Sequence, residues 1–292
     1  MGEPWRDTAA WSLAAEVSRY CGEDLEELLL RTPTDVLRRT DLAQLSVFTV
    51  TLMAYAEAAR SGALDDAVAC AGHSLGEYAA LTAAEVLTLP DAVALVAERG
   101  QAMREAERLR PGTMGVLVGT GLREAEALAA EVRFEGLDVW VANVNAPGQT
   151  GLSGSAEGVE RAAELAPGVG AKLIRLSVGG AFHSPFMAPA AERLGRALRT
   201  VRFAPGDLPV VANVDAEPYA GDGGWAGLAV RQLSSPVLWE KSVRTLTGRL
   251  GCRRLVELGP GRVLTNLIRR IDPDVEVIPV DGPGALKDLA TV

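Results

Sequence analysis

The segment AGHSLGEYAA, residues 71–80, constrains the fold more than any other stretch of the sequence. An apolar run, DDAVACAG, leads into it, and a helical pattern, EYAALTAAEVL, follows from it. This order of strand, tight turn and helix is the context in which a Gly-x-Ser-x-Gly motif presents a nucleophilic serine, here Ser74. We expect glycine at Gly72 and Gly76 because side chains there would collide with the neighbouring strand and helix. The same residues also fit a structural turn in which Ser74 only caps the helix.

Alternating strand and helix patterns predict a larger α/β body with a small subdomain inserted into it. Residues 113–178 show the order βαββαβ, which is the ferredoxin-like pattern. Residues 1–112 and 179–292 would then form the large subdomain, whose strands and helices indicate a mostly parallel sheet covered on both faces. Ligands of such sheets bind at the carboxyl ends of the strands, where Ser74 would lie.

Composition and charge narrow the class of protein. The 292 residues are 48% hydrophobic and 23% charged, which is typical of a globular protein. A formal net charge of −9 argues against nucleic acid as a partner, since such binding depends on Lys and Arg. Three widely separated cysteines predict neither a disulfide framework nor a zinc site, and they fit a reducing compartment. We find no signal peptide and no apolar stretch long enough to span a bilayer, so we expect a cytoplasmic protein without a membrane segment.

A serine hydroxyl needs a base that removes its proton, and the sequence contains two histidines. His73 is adjacent to Ser74, and adjacent residues of an extended segment point in opposite directions, so we expect His73 to pack beside the site. His183 lies in the loop GGAFHSPFM, and loops at the mouth of a sheet often hold catalytic side chains. His183 is therefore the candidate base, and a solvated or helix-capping histidine is the alternative.

Arg99 lies on the apolar stripe of the helix predicted at residues 91–107, three residues after Val96 and four before Met103. An arginine that faces the core needs an anion, because an unpaired buried charge is costly. One interpretation is a structural salt bridge or a side chain that reaches solvent. The other is a guanidinium that binds a substrate carboxylate through two hydrogen bonds.

Seven stretches together resemble the malonyl-CoA:acyl-carrier-protein transacylase family, which includes the acyltransferase domains of polyketide synthases. They are GHSLGE, ERGQAM, NVNAPGQTGLSGS, GAFHSPFM, VVANVDAEP, VRQLSSPVLW and ELGPGRVLTNL, and they follow the family's order over nearly the whole chain. The resemblance implies an α/β-hydrolase-like body with a ferredoxin-like insertion. It also implies a monomer that moves a malonyl group from malonyl-CoA to the phosphopantetheine thiol of an acyl carrier protein, without a metal or redox cofactor.

The family's functional residues match particular positions of this sequence. Ser74 matches the acyl-accepting nucleophile, and His183 matches its base. The backbone carbonyl of Gln232 matches the group that orients the imidazole, and the N–H of Leu75 would bind the oxyanion. Arg99 matches the arginine that binds the malonyl carboxylate.

Selectivity and carrier binding can also be read from the resemblance. Leu75 and the stretch GAFH are similar to the malonyl type, in which Phe182 would crowd an α-methyl branch. We expect malonyl over methylmalonyl, although one methyl group in an apolar pocket is worth only about 1–3 kcal/mol. The carrier proteins of the family are acidic, and four arginines are candidates for binding one, although an ordinary solvated face is an equal alternative. They are Arg253, Arg254, Arg269 and Arg270.

The sequence departs from the family pattern at two places. Family members begin with a strand that ends in a GQG-like loop, whose glutamine N–H is the second oxyanion donor, and MGEPWRDTAAW shows no such strand. Losing one oxyanion donor typically costs about 10²–10³-fold in rate, and losing the strand would leave a gap or an unpaired sheet edge. The alternatives are a truncated start, another segment that fills the gap, or a protein that no longer transfers at full speed. The second departure is Asp41, in RRTDLAQLS, where the family often has a glutamine.

Two other functions fit the same residues. An editing thioesterase that removes acyl groups from carrier proteins would use Ser74 and His183 with water as the acceptor. A non-catalytic binding module would retain the fold without the reaction. The sequence favours malonyl transfer because Arg99 and GAFH match that activity most directly.

Overall fold

The computed structural model describes residues 1–221 and 223–289, and it is a mixed α/β structure. Short 3₁₀ turns separate several of its helices, and a π-helical turn at Thr245–Arg249 continues α11. The α-helices of the described residues are α1 (Ser12–Cys21), α2 (Leu25–Leu30), α3 (Thr34–Leu37), α4 (Thr40–Arg60), α5 (Gly76–Ala83), α6 (Leu89–Leu109), α7 (Leu122–Phe134), α8 (Ala156–Leu165), α9 (Ala188–Ala197), α10 (Trp225–Ser234), α11 (Trp239–Arg244), α12 (Val263–Ile271) and α13 (Leu286–Leu289).

The strands of the described residues form three sheets. They are β1 (Cys70–Ala71), β2 (Thr113–Val118), β3 (Val139–Ala146), β4 (Gln149–Gly154), β5 (Lys172–Arg175), β6 (Val210–Val211), β7 (Pro218–Tyr219), β8 (Arg254–Leu258) and β9 (Glu276–Val280). The first sheet has the order β1-β6-β7, the second β3-β4-β2-β5, and the third consists of β8 and β9.

Outside residues 113–178, the described strands form two separate small sheets instead of the single, mostly parallel sheet that the sequence pattern predicted. β1 pairs with β6 in parallel over two residues, and β8 pairs with β9 in parallel in a separate sheet. β7 runs antiparallel to β6 because the chain reverses between them, where the Ala212 N–H donates to the Glu217 carbonyl oxygen over 3.0 Å. β1 and β8 each lie at an edge of their own sheet.

Residues 113–178 fold as β2-α7-β3-β4-α8-β5, the element order that the sequence predicted for this segment. All strand pairs of its sheet are antiparallel. The apolar residues of α7 recur at intervals of three and four, so they form one stripe that packs on the sheet beside α8. The resulting core contains Leu117, Leu128, Val132, Leu152 and Val159, and it is separate from the main core.

β3 joins this segment to the rest of the molecule. The Val144 N–H donates to the Val237 carbonyl oxygen over 2.8 Å, and the Val237 N–H donates to the Ala142 carbonyl oxygen over 2.9 Å. Val237 comes shortly after the end of α10. The two bonds therefore hold the inserted segment against the end of the helix that carries Gln232.

The helices α4 and α6, each of 21 residues, pack against one another in the main core. Gly100 permits the close crossing, since a Cβ there would lie 2.8 Å from the Asp41 Cα. By length and composition α4 could cross a membrane, which the sequence analysis did not expect, but 61% of the stretch is buried inside the protein. Such burial is what a core helix of this length shows.

Sequence patterns missed α9 as well as the short helices α2 and α3. α9 begins at Ala188 with a proline in its first turn and buries Ala190, Ala191 and Leu194. It packs against α6 and α10, on either side of the site described below. These buried residues lie on one face of the helix, a periodicity that could have revealed α9 from the sequence.

Candidate active site

Ser74 lies on the turn between β1 and α5, and its backbone is in the left-handed region with φ of +52°. A non-glycine residue is strained there and persists only where its surroundings hold it. The side chain of Asn213 supplies such a restraint, because its Oδ1 accepts from the Ser74 N–H over 2.7 Å and its Nδ2 donates to the Gly72 carbonyl oxygen over 2.7 Å. The segment that leads into the serine is therefore fixed at two points.

The two glycines of the motif differ in what the fold requires of them. A Cβ on Gly72 would overlap the backbone of Gly76, so only glycine fits at position 72. A Cβ on Gly76 would meet no described atom within 4 Å. The expectation that both positions need glycine for lack of space was therefore wrong for Gly76, which begins α5 with its Cα facing open space.

His183 lies in the loop before α9 and is 5% exposed. Its Nε2 lies 2.7 Å from the Ser74 Oγ, and its Nδ1 lies 2.8 Å from the backbone carbonyl oxygen of Gln232. A carbonyl oxygen only accepts, so Nδ1 carries the proton and Nε2 of the neutral ring accepts from the serine hydroxyl. His183 also has a positive φ, of +57°, so both members of the pair lie on strained backbone.

The electrostatic surroundings keep the His183 ring neutral. Burial above all, and the positive charge of Arg99, lower the pKa of His183 to about 3, against the opposing effect of the hydrogen bond to Gln232. The imidazole therefore has a free lone pair at neutral pH. A general base needs this form before it can take a proton.

Arg99, on α6, is 1% exposed, and its guanidinium group lies against the same serine. Its Nη2 donates to the Ser74 Oγ over 3.0 Å and to the Gln232 Oε1 over 3.1 Å, and its Nη1 donates to the Gln44 Oε1. The guanidinium carbon lies 5.5 Å from the centre of the Tyr78 ring. Among the described residues no carboxylate forms an ion pair with Arg99, and its Nε has no hydrogen-bond partner. The charge is thus held by neutral groups.

Sequence reasoning singled out Asp41 and missed Gln44, three residues further along α4. Asp41 forms ion pairs with Arg39 and Arg104, at 2.8 and 3.0 Å, and no ion pair or hydrogen bond joins it to Arg99. Gln44 is buried, bonds Arg99 through its Oε1, and approaches the Met103 sulfur with its Nε2 over 3.3 Å. A buried glutamine on an apolar helix was the available signal, since such a group needs polar partners.

Three other residues considered in the sequence analysis, Leu75, Phe182 and His73, have different surroundings in the structure. The Leu75 N–H makes no hydrogen bond to another described residue, whereas the N–H groups of the next three residues are all bonded. Phe182 is half-buried, and its ring lies so close to Gly180 that a Cβ there would come within 2.5 Å of a ring carbon. His73 packs beside the site: its Nε2 bonds the Asn145 Oδ1 over 3.0 Å and its ring lies 5.7 Å from that of Trp239.

A cavity of about 470 Å³ leads to His183. It lies between the inserted segment and the end of α10, and its wall contains Glu126, Ala129, Ala130, Arg133, Trp140, Val141, His183, Pro185, Ser234 and Pro236. Arg133 is held at this wall by a hydrogen bond of 2.6 Å to the Val139 carbonyl oxygen. The cavity gives a narrow ligand a route from solvent to the His183 ring.

A serine on a glycine-flanked turn, hydrogen-bonded to a neutral histidine that is itself oriented by a carbonyl oxygen, is an arrangement found in enzymes that transfer or hydrolyse acyl groups. Comparison with known proteins identifies the family within this class. The family model for the acyl transferase domain matches residues 6–277, most of the chain. The chain therefore belongs to the acyl transferase family.

Individual relatives cover nearly all of the sequence. The malonyl CoA-acyl carrier protein transacylase of Bacillus subtilis (strain 168) is 36% identical over 280 residues, which span 96% of this chain and 87% of the relative. The polyketide biosynthesis malonyl CoA-acyl carrier protein transacylase PksC of the same organism is 35% identical over 270 residues, 91% of each chain. A solved complex of a type II PKS acyl-carrier protein with its malonyl-transacylase is similar with a TM-score of 0.94 and 32% identity, over 99% of this chain and 94% of that one.

Proposed function

We propose that this protein transfers a malonyl group from malonyl-CoA, through an ester on Ser74, to the phosphopantetheine thiol of an acyl carrier protein in fatty acid or polyketide biosynthesis. The observation that carries the proposal is the contact of 3.0 Å between the Arg99 guanidinium and the Ser74 Oγ. A buried cation without a carboxylate partner, next to a nucleophile, favours an acyl donor that brings its own carboxylate. In malonyl-CoA that carboxylate is one methylene group from the reacting carbonyl. The names and activities of the relatives support the same assignment.

In the first half-reaction the Ser74 Oγ attacks the thioester carbonyl while its proton passes to the His183 Nε2. The distance of 2.7 Å between these atoms is within reach of proton transfer, and the neutral ring has the lone pair that accepts the proton. When the C–S bond breaks, the proton on His183 neutralises the leaving thiolate and yields free CoA. The Gln232 carbonyl oxygen keeps the ring oriented and stabilises its charged form.

In the second half-reaction the roles are reversed. His183 takes the proton of the carrier's thiol, the sulfur attacks the ester carbonyl on Ser74, and the proton returns to the Ser74 Oγ as the ester breaks. The Leu75 N–H is the proposed donor to the oxyanion of each intermediate, since no described residue uses it otherwise. No metal or redox group is required for these steps.

The pantetheine arm common to CoA and the carrier would occupy the cavity that ends at His183. A volume of about 470 Å³ fits a narrow chain, and the wall is built from apolar side chains and few charges. In this interpretation Arg99 would bind the carboxylate at the closed end of the site, because it is buried while the cavity opens to solvent.

The finer description of the fold is part of the same proposal. The strand order β3-β4-β2-β5 with two helices on one face supports a ferredoxin-like small subdomain at residues 113–178. Residues 1–112 and 179–292 would form an α/β-hydrolase-like large subdomain, which the turn at Ser74 between a strand and a helix supports. We also propose a cytoplasmic monomer.

Two further expectations concern selectivity and the carrier. Phe182 would disfavour an α-methyl branch, and its ring position beside Gly180 supports a fixed orientation. For the carrier, Arg254 already bonds Glu276 over 2.8 Å and Arg270 bonds Gln149 over 3.2 Å, which leaves the exposed Arg253 and Arg269 as the stronger candidates.

The proposal is tested by mixing the protein with radiolabelled malonyl-CoA, with and without a phosphopantetheinylated carrier protein. We expect label on Ser74 that moves to the carrier when it is added, and no label on the Ser74→Ala variant. Rapid release of free malonate in the absence of carrier would indicate a thioesterase instead. If the wild-type protein takes no label, neither enzymatic function holds and a binding module remains.

A further inference from the structure

Glu77 is a buried carboxyl group beside the site, and the reaction above does not use it. It is 2% exposed, in the first turn of α5. Its Oε1 accepts from the Asn213 N–H over 2.7 Å, and its Oε2 accepts from the Gln232 Nε2 over 2.6 Å. Among the described residues no Lys, Arg or His forms an ion pair with it. A buried carboxylate held only by neutral donors is costly, so its presence needs an explanation.

The contacts of Glu77 fix the orientation of the Gln232 side chain. The Gln232 Nε2 has two hydrogens, one directed at the Glu77 Oε2 and one at the Ser74 carbonyl oxygen over 2.9 Å. Both of these oxygens only accept when Glu77 is ionised. If the amide turned over, its own oxygen would face two acceptors. Glu77 and the Ser74 carbonyl therefore force the NH₂ group to this side.

The fixed amide presents its oxygen to Arg99. The Gln232 Oε1 accepts from the Arg99 Nη2 over 3.1 Å, and the same nitrogen donates to the Ser74 Oγ over 3.0 Å. A reversed amide would place an NH₂ group against the guanidinium, and two donors would face each other. The position of the guanidinium beside the serine thus depends on the orientation that Glu77 sets.

Glu77 acts in a second direction through Asn213. Its Oε1 accepts from the Asn213 backbone N–H, and the Asn213 side chain bonds two backbone groups at the entry to the turn, the Ser74 N–H and the Gly72 carbonyl oxygen. One carboxyl group is therefore linked to both the strained turn and the arginine. The link to the turn is through a backbone amide, whereas the link to Arg99 depends on the direction of a single side-chain amide.

We propose that Glu77 is a positioning residue that holds Arg99 ready for the donor's carboxylate by fixing the Gln232 amide. The inference rests on the proposed function, since it concerns how that site distinguishes a carboxylated acyl group from a neutral one. It predicts that Glu77 matters more for malonyl loading of Ser74 than for acetyl loading. A purely structural role would affect both donors alike.

Protonation of Glu77 gives a second readout. The pKa of Glu77 is raised to about 7, mainly by burial and also by the charge of Asp215, against the opposing effect of the hydrogen bonds from Asn213 and Gln232 and of the charge of Arg99. Of the other titratable groups at the site, His183 has a pKa lowered to about 3 and Arg99 stays charged. A proton on the Glu77 Oε2 would place two donors against each other, the carboxyl O–H and the Gln232 NH₂ group, and the amide would no longer be held toward Arg99. Malonyl loading should therefore weaken as the pH falls below about 7, while acetyl loading does not.

The test compares the kcat/KM of Ser74 loading by malonyl-CoA and by acetyl-CoA from pH 5.5 to 8. The variants are Glu77→Gln, whose amide cannot accept from both Asn213 and Gln232, and Glu77→Asp, which keeps the charge. The matched control is Glu257→Gln, since Glu257 also accepts two N–H groups, of Leu264 and Thr265 over 2.9 and 2.7 Å, at the start of α12. Thermal melting of each variant reports the structural cost.

We expect Glu77→Gln to lower malonyl loading by about tenfold to hundredfold and acetyl loading by less than about threefold. Only the malonyl group has a carboxylate that would bond the Arg99 guanidinium, so only its loading depends on the position of that group. Glu77→Asp should recover part of the loss, and Glu257→Gln should leave the ratio of the two donors unchanged. In the wild type, the ratio of malonyl loading to acetyl loading should decrease as the pH is lowered below about 7.

Equal losses for both donors, together with a wild-type ratio that is flat between pH 5.5 and 8, would overturn the inference. The wild-type profile decides the matter even where Glu77→Gln does not fold. A wild type that forms no malonyl ester at all would instead refute the proposed function, so the two failures are distinguishable.

Discussion

The two halves of the site are built in different ways. Ser74 and His183 lie on short loops, both with positive φ, and each is held by backbone groups or by an amide that bonds backbone. Arg99 lies in the middle of a regular 21-residue helix and is held by side chains, Gln44 from α4 and Gln232 from α10. The reactive pair thus depends on local backbone geometry, whereas the cation depends on helix packing and amide orientation.

This difference teaches which changes should affect all acyl donors and which only the carboxylated ones. Under the proposed function, we expect a change that disturbs the turn or the base to remove the reaction itself. We expect a change on the arginine side to leave the reaction at its optimal pH and to alter mainly which donor is preferred. The predictions below separate these outcomes.

The largest effect is expected from Gly72→Ala. A Cβ at this position would overlap the Gly76 backbone, so we expect a loss of more than about 4 kcal/mol in the free energy of unfolding, with no measurable acyl transfer. Gly76→Ala is the control, and it should change stability by less than about 1 kcal/mol, because its Cβ meets open space. Urea unfolding of both variants measures the difference. Equal stability of the two would contradict the described turn.

His183→Ala should lower loading by malonyl-CoA and by acetyl-CoA to a similar extent, by about 10²–10⁴-fold, because it removes the base that both donors need. His73→Ala is the control: it loses a bond to Asn145 but no contact with the serine hydroxyl, and it should retain activity within about tenfold. Single-turnover loading measures both. A loss confined to malonyl would assign His183 to the arginine side instead.

Arg99→Ala should shift the pH dependence of acetyl loading. The positive charge of Arg99 lowers the pKa of His183, so its removal raises that pKa. Loading requires the neutral ring and is lost as the pH falls through the pKa, so the acid limb of kcat/KM should move to higher pH. An unmoved limb would show that the two groups are not coupled.

The smallest effect is expected from Gln44→Leu. The variant removes the acceptor of the Arg99 Nη1 and leaves the bonds of Nη2 in place, so malonyl loading should fall by about tenfold with little change for acetyl. Gln101→Leu, on the exposed side of α6, removes only a bond from Arg193 and should change neither. A larger loss for Gln44→Leu than for Arg99→Ala would reverse the assumed order of importance.

Sequence reasoning located the loop side of the site more completely than the helix side. The glycine-flanked motif, the small number of histidines and the resemblance led to Ser74, His183 and the Gln232 carbonyl. In the structure the His183 ring lies 2.7 Å from the Ser74 Oγ through its Nε2 and 2.8 Å from the Gln232 carbonyl oxygen through its Nδ1. A tight turn of this kind requires particular residues within a short segment, so the sequence motif indicates it before the fold is known.

The helix side could not be assembled in the same way. Arg99 was found from its place on an apolar stripe, but Gln44 on α4 and Glu77 on α5 come from separate elements that meet it only in the folded chain. Periodicity shows that a polar residue is buried but not which group bonds it. The extent of the sheets was likewise overestimated, since β1 and β6 pair over two residues only.

The central claim is that Arg99 selects carboxylated donors while Ser74 and His183 provide the reaction. The most direct test is the ratio of kcat/KM for malonyl-CoA to that for acetyl-CoA, measured by mass spectrometry of the acyl-enzyme in the wild type and in Arg99→Ala. We predict that the ratio falls by about 10²-fold or more, through loss of malonyl loading, while acetyl loading at its optimal pH is retained. A ratio that stays the same, with both donors slowed together, would contradict the account.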